Sequence, residues 1–230
     1  MSAPATTRAV EAVWRMESAR LIAGLTRRFG DVGTAEDLAQ DALVAALEEW
    51  PAAGIPANPG AWLMAVARRR GIDALRRRVA LERRHEWIAH DLRLLQELEG
   101  ADAAAAGAED IEDDVLRLMF MACHPALGRD ARVALTLRLV GGLSAAEIAR
   151  AFLVPEATVA QRVVRAKRTL RRERVAFEMP GAAERADRLA GVLEVIYLVF
   201  NEGTPPPAGT TGPVRSSARR RGAWGASSPR

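Results

Sequence analysis

Lysine is almost absent from this chain: Lys167 is the only one among 33 basic residues, so the cationic surface is built from arginine. Arginine keeps its charge and presents a planar fork that fits phosphate, a composition that favours nucleic acid as a partner. Cysteine is as scarce. Cys123 stands alone, which excludes an internal disulfide and points to a reducing compartment. The adjacent His124 makes a Cys-His pair, but His85 and His90 lie 34 or more positions away. Neither a metal site nor a paired nucleophile follows, and Cys123 reads as a buried structural residue. Aromatic residues are few, and no stretch alternates as a strand does. The longest apolar stretch, near 189–200, is broken by Glu194 and is too short to span a bilayer, and the N-terminus lacks a basic-then-apolar signal pattern. A cytoplasmic protein is expected. No paired carboxylates, metal-ligand cluster or phosphate loop supports an enzyme, and no cofactor or metal is expected.

What the chain does have is charge in blocks. The net charge is only +4, yet residues 31–50 carry a net −6 with no base and residues 58–79 a net +5. Residues 97–114 carry eight acids and no base, and residues 155–174 return to a net +5. Acidic and basic elements alternate, as in a protein that meets two kinds of partner.

The helical periodicities predict an all-α fold of two small helical domains. The first spans 8–79. A helix over about 8–29 offers Val10, Val13, Trp14, Leu21, Ile22 and Leu25 to a core. After Gly30–Gly33, Thr34 caps a second helix in which Leu38, Ala42, Ala45 and Ala46 share one side, with Asp37, Asp41, Val44 and Glu48 on another stripe. Asn58-Pro59 opens a third, about 59–78, burying Ala61, Met64, Ala65, Ile72 and Leu75 and showing Trp62, Val66, Arg69, Arg70, Asp73 and Arg77. Aromatics stack unpaired bases while arginines follow phosphates, so this helix and its preceding loop suit an opened strand. Trp62 reads equally well as a core tryptophan. Residues 80–114, rich in alanine and acid at their end, read as a flexible linker.

The second domain, 115–178, centres on residues 142–174. Ser144 with Glu147 is a capping box, and Leu143 with Ile148 a hydrophobic staple, which starts a helix at Ala145 running to about Phe152. Pro155 opens the next helix, about 156–172. Its apolar stripe is Val159, Val163, Ala166 and Leu170, and Gln161, Arg165, Arg168 and Arg172 with Thr158 lie opposite. Two helices with a tight corner and a basic outer face read as a helix-turn-helix. Beyond Pro180-Gly181, residues 183–202 form a helix with the stripe Leu189, Leu193, Ile196 and Phe200, and 203–230 read as a disordered tail. So apolar a helix either packs back on the second domain or marks a C-terminal domain cut short. The second reading is preferred.

In this order the pieces resemble a bacterial sigma factor of the extracytoplasmic-function (ECF) group. TAEDLAQDALVAALEEW resembles the region-2 helix that docks on core RNA polymerase, and NPGAWLMAVARRRGIDALRRR the helix that captures the opened −10 element. LSAAEIARAFLVPEATVAQRVVRAKRTLRR resembles the region-4 helix-turn-helix that reads the −35 element. HPALGRDARVALTLRLVGGL and LAGVLEVIYLVFNEG resemble a subgroup with an extra helical C-terminal domain, and the likeness stops at about Gly203. The resemblance implies core RNA polymerase and promoter DNA as partners, with an anti-sigma factor or the chain's own C-terminal domain as regulator. It assigns Asp37, Gln40, Asp41 and Glu48 to polymerase, and Trp62, Arg69, Arg70 and Arg77 to −10 DNA. Thr158, Gln161, Arg162 and Arg165 fall to −35 bases, with Arg168 and Arg172 on phosphates. The rival reading is a stand-alone helix-turn-helix regulator that binds duplex operators as a dimer.

Overall fold

A computed structural model describes residues 3–81, 88–100 and 108–203. Among them every regular element is a helix. In chain order these are α1 (Ala3–Phe29), α2 (Val32–Ala53), α3 (Pro59–Leu81), α4 (Ile88–Gly100), α5 (Ala108–Ala122), α6 (Arg129–Leu139), α7 (Ala145–Phe152), α8 (Glu156–Arg172) and α9 (Ala182–Gly203).

Helices α1, α2 and α3 pack on one another as a first bundle. Its core takes Leu21, Ile22 and Leu25 from α1, Leu38, Ala42 and Ala46 from α2, and Leu63 and Ala67 from α3. Alanines let these helices approach closely, and burying each leucine or isoleucine contributes about 1.5–3 kcal/mol. The entry to α2 differs from expectation. Asp31, not Thr34, is its N-cap, and the Asp31 carboxylate accepts from the Thr34 backbone N–H at 2.7 Å and hydroxyl at 2.8 Å. A carboxylate placed one turn earlier outcompetes a threonine that then serves as its donor.

The buried face of α3 is also rotated from the expected one. Leu63, Ala67, Gly71 and Leu75 point inward at spacings of four, while Ala61 and Ala65 are exposed. Gly71 decides this register. A Cβ there would collide with the ring of Phe29 and lie 2.9 Å from Leu38 Cδ1, so α3 crosses α1 and α2 at its glycine.

The stretch expected as linker, 80–114, holds α4 and the start of α5. Leu95 and Leu98 of α4 are buried with Leu75 of α3, with Ile72 and Leu94 alongside. Arg78 grips Asp91 through both carboxylate oxygens at 2.7 and 2.8 Å. A leucine stripe with a bidentate ion pair gives this segment a place to dock, which its alanine-and-acid composition concealed. Residues 82–87 and 101–107 lie outside the described ones, as does 204–230 of the tail expected over 203–230, whose first residue, Gly203, ends α9.

Helices α5 to α8 form the second bundle around Leu118, Leu135, Leu139, Ile148, Val159, Val163, Ala166 and Leu170. The expected inward stripe of α8 is buried along its whole length. Helix α9 lies against α5, α6 and α7, packing back on this bundle, the alternative that the sequence reading ranked second. Its packed side is not the expected one. Val192 and Val195 are buried while Leu189 and Leu193 are exposed. Gly191 lies on the packed side, where a Cβ would stand 3.1 Å from the Arg132 guanidinium and 3.7 Å from the Cys123 carbonyl. The side chain of Phe200, the last residue of the expected stripe, is outside the described ones. Arg129 of α6 adds a 2.8 Å ion pair to Glu194. Among the described residues no helix is long and apolar enough to cross a membrane.

Candidate nucleic-acid and partner interface

The start of α7 is built by its capping box. The Ser144 hydroxyl accepts from the Glu147 backbone N–H at 3.2 Å, and the Glu147 carboxylate accepts from the Ser144 N–H at 2.8 Å. The Ser144 N–H and the Ser144 hydroxyl, each donating to the Glu147 carboxylate at 2.8 Å, with Arg15 at 3.4 Å, hold that carboxyl below its ordinary pKa. The corner follows at Leu153, left-handed at φ 52°, and Pro155 caps α8 at φ −60°. An eight-residue helix, a left-handed residue and a proline turn the chain sharply, and α8 thereby crosses α7 with its apolar stripe inward.

That geometry leaves Gln161, Arg165, Arg168 and Arg172 exposed in one row, with Thr158 half-buried at its start. From Gln161 to Arg172 the row rises about 16 Å, which suits insertion along a major groove ~12 Å wide. Arg162 sits apart from the row, its side chain 24% exposed and its guanidinium 3.2 Å from Asp130 of α6. Arg172 pairs with Glu173 at 2.9 Å.

On the first bundle, Asp37, Asp41 and Glu48 are exposed along α2, and Arg69 and Arg77 are exposed on α3. The two expected sites meet at one point. Arg70 donates to the Asp41 backbone carbonyl at 2.9 Å and stands 3.9 Å from its carboxylate. Trp62 is half-buried, packed edge-on against buried Trp50 with ring centroids 5.3 Å apart. It is therefore anchored on one side and open on the other. The Trp50 indole N–H is buried without a hydrogen-bond partner.

Gln40 is half-buried and donates at 2.8 Å to Glu36, which the sequence reading passed over. Glu36 is 3% exposed and also accepts from Arg138 of α6 at 2.6 Å and Lys167 of α8 at 2.9 Å. Its partners stand 102 and 131 residues away, a separation no local spacing reveals. The only signal was that the lone lysine falls on the edge of the arginine-rich helix.

Cys123 is buried with its sulfur 3.4 Å from the Thr136 hydroxyl, and burial raises its thiol pKa. Among the described residues no cluster of three or more histidine, cysteine, aspartate or glutamate side chains is placed to hold a metal ion.

Residues 14–80 match the family Sigma-70 region 2, and residues 117–170 match Sigma-70, region 4. The chain is 43% identical over 182 residues to an uncharacterized protein of Rhizobium meliloti, covering 78% of this chain and 42% of that protein. Over 182 residues it is also 29% identical to the probable ECF RNA polymerase sigma factor SigI of Mycobacterium tuberculosis, covering 76% of this chain and 59% of that protein. The chain spans about half the length of the curated relatives it matches. No solved structure matches it.

Proposed function

Because the chain belongs to the sigma-70 family and is of the ECF kind, we propose that it binds core RNA polymerase in the cytoplasm and directs promoter-specific initiation. The carrying observation is that one chain holds an exposed basic row on a capped helix-turn-helix and, on a separate bundle, an acidic helix beside an arginine helix. In this reading Asp37, Gln40, Asp41 and Glu48 meet basic side chains of polymerase. Trp62, Arg69, Arg70 and Arg77 hold the opened −10 strand, the tryptophan stacking and the arginines following phosphates. Thr158, Gln161 and Arg165 reach base edges at the −35 element, Arg168 and Arg172 take phosphates, and Arg162 joins them after leaving Asp130. No bond is made or broken by the chain itself, and its regulator is an anti-sigma factor or a further C-terminal domain.

Selection from a random duplex library tests this reading. With core polymerase present, the chain should enrich fragments bearing two elements about 25 base pairs apart, roughly 85 Å along the duplex. Enrichment of a single inverted repeat by the chain alone would favour the stand-alone regulator instead.

A further inference from the structure

Beside the C-terminal end of α8 lies a cavity of about 1060 Å³. The α1–α2 corner, α3, α4, Met121 of α5 and the segment 174–177 that follows α8 share its wall. Pockets for organic ligands span roughly 300–1,000 Å³, so the space suffices for a whole small molecule. Phe29, Leu94, Val175 and Phe177 border the cavity and are only half-buried, which leaves apolar surface open there.

Five charged residues also border it: Asp31, Arg78, Asp91, Arg171 and Arg174. Their partners are unevenly shared. Asp91 accepts both donors of Arg78, at 2.7 and 2.8 Å. One oxygen of Asp31 accepts the Thr34 N–H and hydroxyl at the start of α2. Both carboxylates are thus committed within the fold. The arginines beyond α4 are not. Arg171 has its nearest carboxylate, the other Asp31 oxygen, at 4.0 Å, and its side chain is 73% exposed. Among the described residues the Arg174 guanidinium has no hydrogen-bond or ion-pair partner.

The backbone at Arg174 makes its identity informative. It is left-handed at φ 49°, and the next N–H, of Val175, closes on the Leu170 carbonyl at 3.0 Å. Glycine takes that helix-ending position without strain, and arginine does not. A cation also suits the dipole at this end, but Arg171 and Arg172 already supply it. Arg171 in turn stands about 100° around α8 from Arg172, off the row that faces the duplex. Two guanidinium groups beside open apolar surface are therefore left for something else.

We propose that this cavity binds an amphipathic organic anion. Its apolar body lies against Phe29, Leu94 and Phe177, and Arg171 and Arg174 hold its carboxylate or phosphate head. The guanidinium fork offers either head two parallel, charge-assisted hydrogen bonds. The site uses none of the residues assigned to polymerase or promoter, and it stands whether or not the chain acts as a sigma factor.

Isothermal titration calorimetry of the full chain tests the site with laurate, dodecyl phosphate and dodecyltrimethylammonium, each below its micelle-forming concentration. At least one of the two anions should saturate at one per chain, the tighter of them identifying the head group, while the cation with the same tail should not. Arg174→Gly should melt higher than the wild type, yet bind the anion about tenfold more weakly, as the loss of one charge-assisted hydrogen bond implies. Ala74 is exposed on α3 and borders the cavity, so Ala74→Trp should fill it and abolish binding with helix content unchanged. Equal binding of the cationic probe would overturn the proposal, reducing the cavity to general apolar surface. Undiminished anion affinity in Arg174→Gly, or no saturable binding by either anion, would overturn it as well.

Discussion

Single residues carry the local architecture of the helix-turn-helix. Ser144→Ala removes the hydroxyl that accepts the Glu147 N–H and should lower stability by about 1 kcal/mol, measured by urea unfolding. Glu147 makes the same cap dependent on pH. Its folded pKa is depressed by the Ser144 hydrogen bonds, so its contribution is present above the ordinary glutamate range and disappears as pH falls through the lower folded value. Melting temperature should therefore drop on acidification below about pH 4.3, and drop less steeply in Glu147→Gln. A Gln variant with the wild-type profile would remove Glu147 from that account. Cys123 is buried with a raised thiol pKa, so alkylation by iodoacetamide should follow global unfolding. Rapid labelling in native buffer would contradict its burial. The cap was readable from local sequence because it depends on neighbours within a few positions, and the cysteine because no second cysteine or nearby histidine gives it a chemical role. Glu36 was not, because its partners come from helices more than a hundred residues on.

At the scale of the element, legibility followed the composition of each face. Helix α8 gathers four apolar residues on one stripe with a polar row opposite, so one orientation buries far more apolar surface than any other, and Val159, Val163, Ala166 and Leu170 point inward as expected. Helix α3 spreads its large apolar residues, Trp62, Leu63, Met64, Val66, Ile72 and Leu75, over more than one side, so periodicity alone left its rotation open. Gly71 settled it by admitting Phe29 and Leu38 where a side chain cannot fit. Gly71→Ala should accordingly destabilise the chain by about 1–3 kcal/mol through overpacking, despite alanine's better helix propensity. A gain in melting temperature would contradict the close crossing. In α9 apolar residues lie on more than one side, so periodicity alone could not choose among them, and the Val192–Val195 side is the one that packs. The exposed row of α8 bears on function. On the proposed reading Arg165→Ala should weaken promoter binding at fixed salt by roughly 1–3 kcal/mol, and unchanged affinity would remove it from base recognition.

Over the whole molecule, the sequence announced two helical units with opposite charge blocks and left their arrangement open. Composition cannot distinguish charges kept for partners from charges that meet within the chain. Here α2 holds Lys167 through Glu36 and Asp37 at its start, while Asp41 and Glu48 stay exposed further along. The central claim is that this acidic helix loads the chain onto polymerase. It is tested most directly by co-elution with purified core RNA polymerase on a sizing column, with Asp41→Ala run alongside. Asp41 is exposed and its carboxylate lies 3.9 Å from Arg70, so its loss should leave the helix content intact. The account predicts that the wild-type chain travels with core enzyme and that the variant, equally folded, is largely left behind. A folded wild-type chain that elutes apart from polymerase would contradict it.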